Sequence, residues 1–256
     1  MPDVESPLTS PTDRKWHPKP MRINYENLNM QRLTVTSICT AMAILLVGCV
    51  STEEQAKQIL AESPEVQSSN YKDMAQYPGN VTCGKYLARD YQGFPVYKDF
   101  VVLDTVANLR PLSMDVKIYC SDDPAAALNT ELGIDYEVQK SQIDHILDDF
   151  RELAVPLEAY INDNPSYPWT EQGLQALVQR ATTGNPPRNF PENGYIDSIP
   201  TDPWNKNYHY VCEPFAGVLI PYELQTFGAD GVRGGTGENA DIKHIYLPYF
   251  EHINKI

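Results

Sequence analysis

Apolar positions recur along this chain with two different periods. Ile143, Ile146, Leu147, Phe150, Leu153, Leu157 and Ile161 follow one another at three- and four-residue steps. That spacing places them on one face of a helix. Asp144, Asp148, Asp149 and Glu152 fall largely on the other side. The stripe reads as a core face laid on a sheet, because a domain of this length needs such a surface for its own core. Pro156 interrupts the pattern and predicts a kink, since proline removes an N–H and crowds the preceding turn.

Residues 80–120 instead alternate with a period near two, in V-T-C-G-K-Y-L-A, F-V-V-L-D and M-D-V-K-I-Y-C. They read as strands closed by the break Asp122-Asp123-Pro124. Residues 50–79 are polar, with one short helix expected at Thr52–Ala61, and read as a tether. After the long helix, 164–168 forms a turn and Thr170–Gln179 a second short helix. A Pro- and Asn-rich loop covers 181–193, and short strands are expected around Tyr208–Cys212 and Tyr222–Phe227. The fold class expected is α+β.

The beginning of the chain has a separate logic. Residues 30–49, M-Q-R-L-T-V-T-S-I-C-T-A-M-A-I-L-L-V-G-C, carry one basic residue, Arg32, then an apolar run. That is the layout of a secretory signal. The ending Leu46-Val47-Gly48-Cys49 resembles a bacterial lipobox, in which the cysteine is acylated and becomes the mature N-terminus. A membrane-spanning anchor is the competing reading, but the apolar run of 33–48 falls short of the roughly 20 residues a span needs. Val50 and Ser51 follow Cys49, with no aspartate next to it, which points toward the outer membrane. Residues 1–29 are polar and Pro-rich and read as an over-extended start ahead of Met30. The expected organisation is therefore 1–29 outside the fold, 30–48 signal, 49–79 lipidated linker, 80–124 a β-rich segment of no recognised family, and 125–256 the main domain.

Composition narrows the function. The net charge is −14, and residues 1–48 carry five basic and four acidic side chains, which leaves −15 on the remainder. Such acidity disfavours nucleic acid as a partner. It also disfavours electrostatic attraction to anionic membranes, and it suits divalent cations. Of the five cysteines, Cys39 leaves with the signal and Cys49 carries lipid. Cys83 and Cys120 lie in one β-rich segment and are expected to pair in an oxidising periplasm, with Cys212 a buried thiol. Spacing alone leaves that connectivity open. Catalysis finds no support: His145, His209, His244 and His252 are scattered, and neither an H-E-x-x-H nor a G-x-S-x-G pattern occurs. Asp148 and Asp149 read as a solvated face, because helix neighbours point different ways.

Residues 226–242, T-F-G-A-D-G-V-R-G-G-T-G-E-N-A-D-I, hold five glycines, four of them between Asp230 and Asp241. Glycine permits the tight turns that aim carbonyls inward. Carboxylates with inward carbonyls are the oxygen ligands that calcium prefers. A solvated, flexible surface loop is the alternative on the loop alone. The EF-hand spacing is absent, and a single near-copy of a calcium β-roll repeat cannot bury a core.

Two further segments sharpen the reading: Y-P-W-T-E-Q-G-L-Q-A-L-V at 167–178 and G-Y-I-D-S-I-P-T-D-P-W-N-K-N-Y-H-Y at 194–210. In this order, the three segments resemble the periplasmic domain of the major pseudopilin of bacterial type II secretion systems, over roughly 138–242. The resemblance implies a pilin-like head, an amphipathic helix on a small antiparallel sheet with a C-terminal calcium loop. It implies one Ca²⁺ held by the carboxylates of Asp230 and Asp241 and the backbone carbonyls of Phe227 and Val232. Asn239 stands where the family usually has an acid. Lys243, His244 and Ile245 replace the family's Gly-Asn-Trp. Pseudopilins also begin with a basic leader, then Phe-Thr-Leu-x-Glu opening a long apolar helix, whereas residues 125–142 here are too polar for a bilayer. The implied protein is a lipid-anchored, periplasm-facing, non-enzymatic accessory of secretion whose partners are pseudopilin-type or other secretion-system proteins. The alternatives are a structural envelope lipoprotein in which calcium only staples the fold, and an enzyme with its site in 80–124.

Overall fold

The structure is a computed structural model, and it describes residues 51–66, 69–213 and 222–256. The signal segment, Cys39 and the lipidation candidate Cys49 lie outside the described residues. Among the described residues, no helix is long and apolar enough to cross a membrane.

Helix α1, Thr52–Ala61, opens where the Ser51 hydroxyl accepts a hydrogen bond from the Glu54 N–H at 3.2 Å. A serine in that place satisfies one of the N–H groups a helix start leaves bare. Four antiparallel strands follow in the order β1 (Tyr71–Tyr77), β2 (Val81–Arg89), β3 (Pro95–Leu103) and β4 (Val106–Asn108). Because side chains alternate across a strand, the sheet has two distinct faces. Tyr86, Ala88, Phe100 and Val102 form one buried cluster with Ala56 and Leu60 of α1. Val81, Cys83 and Val101 point the other way, into the main core. Within 50–79, read as a tether, the described residues 51–66 and 69–79 hold helix α1, packed on the sheet, and strand β1 of the sheet itself. Their apolar positions are too few to show a period, yet Ala56 and Leu60, one turn apart, are enough to seat α1 on the sheet.

Helix α2, Ser113–Tyr119, corrects the strand expected at M-D-V-K-I-Y-C. The alternation there is real, but Asp115 settles the conformation. Its Oδ2 accepts the Leu112 N–H at 2.7 Å, as a helix-opening acid does, and its Oδ1 accepts the Tyr249 hydroxyl at 2.7 Å. Helix α3, Pro124–Leu132, is capped by Asp123 and ends at Gly133, whose φ of 65° suits glycine. Cys83 of β2 and Cys120 at the end of α2 form a disulfide with Cα atoms 5.9 Å apart. Cys212 is buried outside it.

Helix α4, Tyr136–Asp163, is the amphipathic helix. Ile143, Ile146, Leu147, Phe150, Leu153 and Leu157 are all buried. It starts seven residues before Ile143, because Tyr136 and Gln139 extend the buried face, and it continues through Pro156, which is itself buried. Asp149 corrects the solvated-face reading. It is buried, accepts the Tyr208 hydroxyl at 2.5 Å, and lies 3.4 Å from His145 Nε2, whereas Asp148 stays exposed beside Arg151. The second short helix shrinks to α5, Gln175–Val178, preceded by turns. The main core then meets a three-stranded antiparallel sheet, β5 (His209–Val211), β6 (Glu223–Thr226) and β7 (Ile242–Lys243). The fold is thus α+β, with a long helix and a small antiparallel sheet.

Past β7 the chain adds helix α6, Leu247–Ile253, where the resemblance gave no guidance. Tyr249 packs on Tyr119 and Phe250 on Tyr136, with ring centroids 5.3 and 5.4 Å apart. His252 is buried edge-on to Tyr119, against Gly79 in the β1–β2 turn, where a Cβ would collide with its ring. Its Nε2 has no hydrogen-bond partner among the described residues. Burial holds the pKa of His252 below the ordinary 6.5, Lys255 adds to the depression, and Asp104 opposes it. Burial does the same to His244, whose Nδ1 accepts the Leu224 N–H at 3.1 Å. A depressed histidine stays neutral when folded but takes a proton when unfolded. Stability contributed by these groups is thus full above pH about 6.5 and is lost as pH falls from there through the folded pKa. Melting temperatures should drop between pH 7 and pH 5.5, and His252→Leu should flatten that slope; an unchanged slope would assign it to other groups.

Candidate metal centre

The glycine-rich loop runs from the end of β6 to the start of β7, so its two ends are held by adjacent antiparallel strands. Gly228, Gly231, Gly234, Gly235 and Gly237 all have positive φ, between 59° and 104°. A Cβ on Gly228 would sit 2.5 Å from the Glu238 carbonyl oxygen, and one on Gly235 2.6 Å from that of Asn239. The loop is folded back on itself with no room for a larger residue at either point. Ala229 N–H donates to Glu238 O at 2.7 Å, closing it.

The predicted ligands take distinct positions. The carboxylate of Asp241, half-buried, accepts the Gly234 N–H with both oxygens at 3.0 Å. Asp230 is exposed, and its Oδ1 accepts the Val232 N–H at 2.9 Å. Phe227 lies half-buried at the loop entrance between His209 and Arg233, and Val232 is 63% exposed at its outer turn. Among the described residues, no three His, Cys, Asp or Glu side chains gather around one point. Any ion here would rely on a pair of acids plus backbone carbonyls. The loop itself, 227–241, supplies oxygen donors and contains neither histidine nor cysteine. Each carboxylate oxygen engaged by one N–H keeps a lone pair. The donor set therefore fits a hard cation. Two positive groups stand near it: Arg233 over the Phe227 ring at 5.9 Å, and the Lys206 ammonium beside Gly231.

Two residues that the sequence reading left unassigned brace this loop. Asp202, in Asp202-Pro203-Trp204, is 3% exposed. Its Oδ1 accepts the N–H groups of Trp204 at 3.1 Å and Lys206 at 2.8 Å, and its Oδ2 accepts the Thr226 hydroxyl at 2.6 Å. The Thr226 Oγ1 in turn accepts the Gly228 N–H at 3.1 Å. One buried carboxylate thus fixes its own turn and, through Thr226, the first residues of the loop. The signal was present, since an aspartate before proline commonly bonds its own turn backbone. Trp204 is half-buried against the main core. Asp202→Ala would strand the Thr226 hydroxyl and two N–H groups. It should cost about 3–5 kcal/mol, read by urea unfolding, because removing a buried charged acceptor leaves its donors unpaired. At the loop's far side, Gly237 N–H donates to Gly133 O at 2.7 Å, which ties it to the turn before α4.

The family model of type II secretion system protein G matches residues 135–245, from the cap of α4 through β7. The type II secretion system core protein G of Vibrio cholerae is 42% identical over 114 residues, which cover 44% of this chain and 75% of that protein. The chain belongs to the type II secretion system protein G family. The protein G of Pseudomonas aeruginosa is 43% identical over 95 residues, 37% of this chain, and the chain spans 64% of that relative's length. The major pseudopilin of enterohaemorrhagic Escherichia coli, a solved structure, is 34% identical. The match covers 42% of this chain and 89% of that one, with a TM-score of 0.37. The family region contains the loop, Asp202 and all of α4. The four-stranded sheet, α2 and α3 precede it, and all of α6 follows it.

Proposed function

We propose that this chain is a membrane-tethered, periplasm-facing accessory of type II secretion, whose protein G-type head binds pseudopilin-type or other secretion-system proteins without polymerising through its own α4. One observation carries the reading. Where the resemblance implies an apolar helix running into the head, α4 is closed off. The Asp135 carboxylate caps it by accepting the Val138 N–H at 3.2 Å. Gly133 turns the chain back into α3. Tyr136, 3% exposed, packs on Phe250, and its hydroxyl lies within hydrogen-bond distance of Asp144 Oδ1 at 2.9 Å and Asn254 Oδ1 at 3.0 Å. A helix start buried in this way cannot be prolonged without unpacking α6.

The tether in this reading is acyl chain on Cys49, and several chains would give stable anchoring at about 0.8 kcal/mol per buried CH₂. Asp230, Asp241 and the carbonyls of Phe227 and Val232 would hold Ca²⁺, whose charge would offset the two carboxylates and clamp the loop. No step of catalysis is assigned. The reading is tested by deleting the gene and comparing secreted proteins, with in-cell crosslinking from the head. Altered secretion and crosslinks to pseudopilin-type subunits are expected. An unchanged secretome with no such crosslink would leave a structural envelope role.

A further inference from the structure

The four-stranded sheet ends in a built, solvent-facing tip. In the β2–β3 hairpin, Asp90 Oδ1 accepts the N–H groups of Gln92 and Phe94, both at 2.9 Å. Arg89 donates to Gly93 O at 2.7 Å, and Asp90 N–H to Phe94 O at 2.9 Å. These bonds hold Tyr91 at 94% exposure and Phe94 at 62%. A rigid turn that presents two aromatic rings to water is a surface shaped for contact, since scattered single apolar residues need no such bracing.

The sheet beside the tip is bare on one face. Val81, Cys83 and Val101, at the far end, are covered by the main core. Toward the tip, the same face carries Lys72, Lys85 and Tyr97, with the Lys72 ammonium 4.0 Å from the Tyr97 ring centre. Around this end stand four cations, Lys72, Lys85, Arg89 and Lys98, and three acids, Asp73, Asp90 and Asp99. Asp99 is paired with Lys85, and Asp90 is engaged by the turn. In a chain of net charge −14 this end is not negative, so an anionic surface does not repel it. Aromatic rings flanked by lysine and arginine are the side-chain chemistry of the lipid headgroup boundary.

The position of α1 supplies the occupant. Thr52 is three residues beyond Cys49, a reach of about 10 Å at most. α1 packs directly on this sheet. We propose that the β2–β3 tip, led by Tyr91 and Phe94, seats in the headgroup region of the bilayer that anchors the chain. This rests on the anchoring reading above. The anchor brings the sheet to the membrane, and the tip sets which edge faces it. The head beyond the sheet is then held in a defined orientation rather than on a slack tether.

The test uses the full chain in phosphatidylethanolamine–phosphatidylglycerol vesicles with brominated acyl chains. Phe94→Trp is compared with Val106→Trp, which is 62% exposed in β4 and pairs with Leu103 at the other end of β3, about 30 Å away along the strand. The emission added by Phe94→Trp should lose most of its intensity, and that added by Val106→Trp should persist. Flotation with equal, unquenched emission at both positions would overturn the tip contact and point to a protein partner for the rings. Mass spectrometry of the Cys49 peptide reads the anchor separately. Quenching at Phe94→Trp without acylation would keep the contact and remove the anchor. Failure to float would overturn both.

Discussion

Calcium should raise the melting temperature of this chain, and Asp241→Ala should abolish the rise. A ligand bound only by the folded state stabilises it by about 2.7 kcal/mol at a hundredfold excess over its Kd. For a folded unit of this size that corresponds to roughly 5–10 °C. Asp241 is the sharper probe because both of its oxygens already face the loop interior through the Gly234 N–H, whereas Asp230 is exposed at the outer turn. Each variant is compared with itself in calcium and in EGTA, so a general loss of stability cancels. Equal melting in the two buffers for the unaltered chain would mean that the loop holds no calcium. Asn239, and the Lys206 ammonium beside Gly231, bias the site toward weaker binding than two free carboxylates would give.

The second large effect concerns the disulfide. Cys83 and Cys120 are 37 residues apart, and the bridge joins the preceding sheet to the helix that leads into the family region. Closing a loop of that length restricts the unfolded chain by about 4 kcal/mol. The double variant Cys83→Ala/Cys120→Ala, or reduction of the unaltered chain, should lower the melting temperature by roughly 10 °C. The loss should appear in both parts of the protein, because Cys83 sits in the main core beside Ile118 and Tyr119, which α6 also covers. A melt that splits into two transitions would show that the bridge, rather than packing, makes the sheet and the head one unit. An unshifted melt would show that packing alone suffices.

Much of the fold was legible because it follows from periodicity. The buried stripe of α4 came directly from the spacing of Ile143 to Leu157, and β5 and β6 lie within the strand windows expected. Helix α1 has the bounds Thr52–Ala61 read from the chain. The readings that failed share a cause: they used local pattern where a distant partner decides. Asp149 looks solvated from its neighbours, yet Tyr208, 59 residues away, gives its carboxylate a buried partner. M-D-V-K-I-Y-C alternates like a strand, but it is a helix whose Asp115 meets Tyr249 across 134 residues. The length of α4 before Ile143 could not be seen because Tyr136 is a core residue only in the presence of Phe250.

By itself, the sequence determined the α+β class, the amphipathic helix, the glycine-rich loop with its two aspartates, and the family, since each is a local pattern of side-chain types at fixed spacing. Only the tertiary structure decided that α1 is folded onto the sheet, that Asp202 braces the loop through Thr226, and that α6 shuts the start of α4. Those facts depend on which groups meet after collapse. A buried carboxylate or ring has no stable place until its partner, far along the chain, arrives to satisfy it.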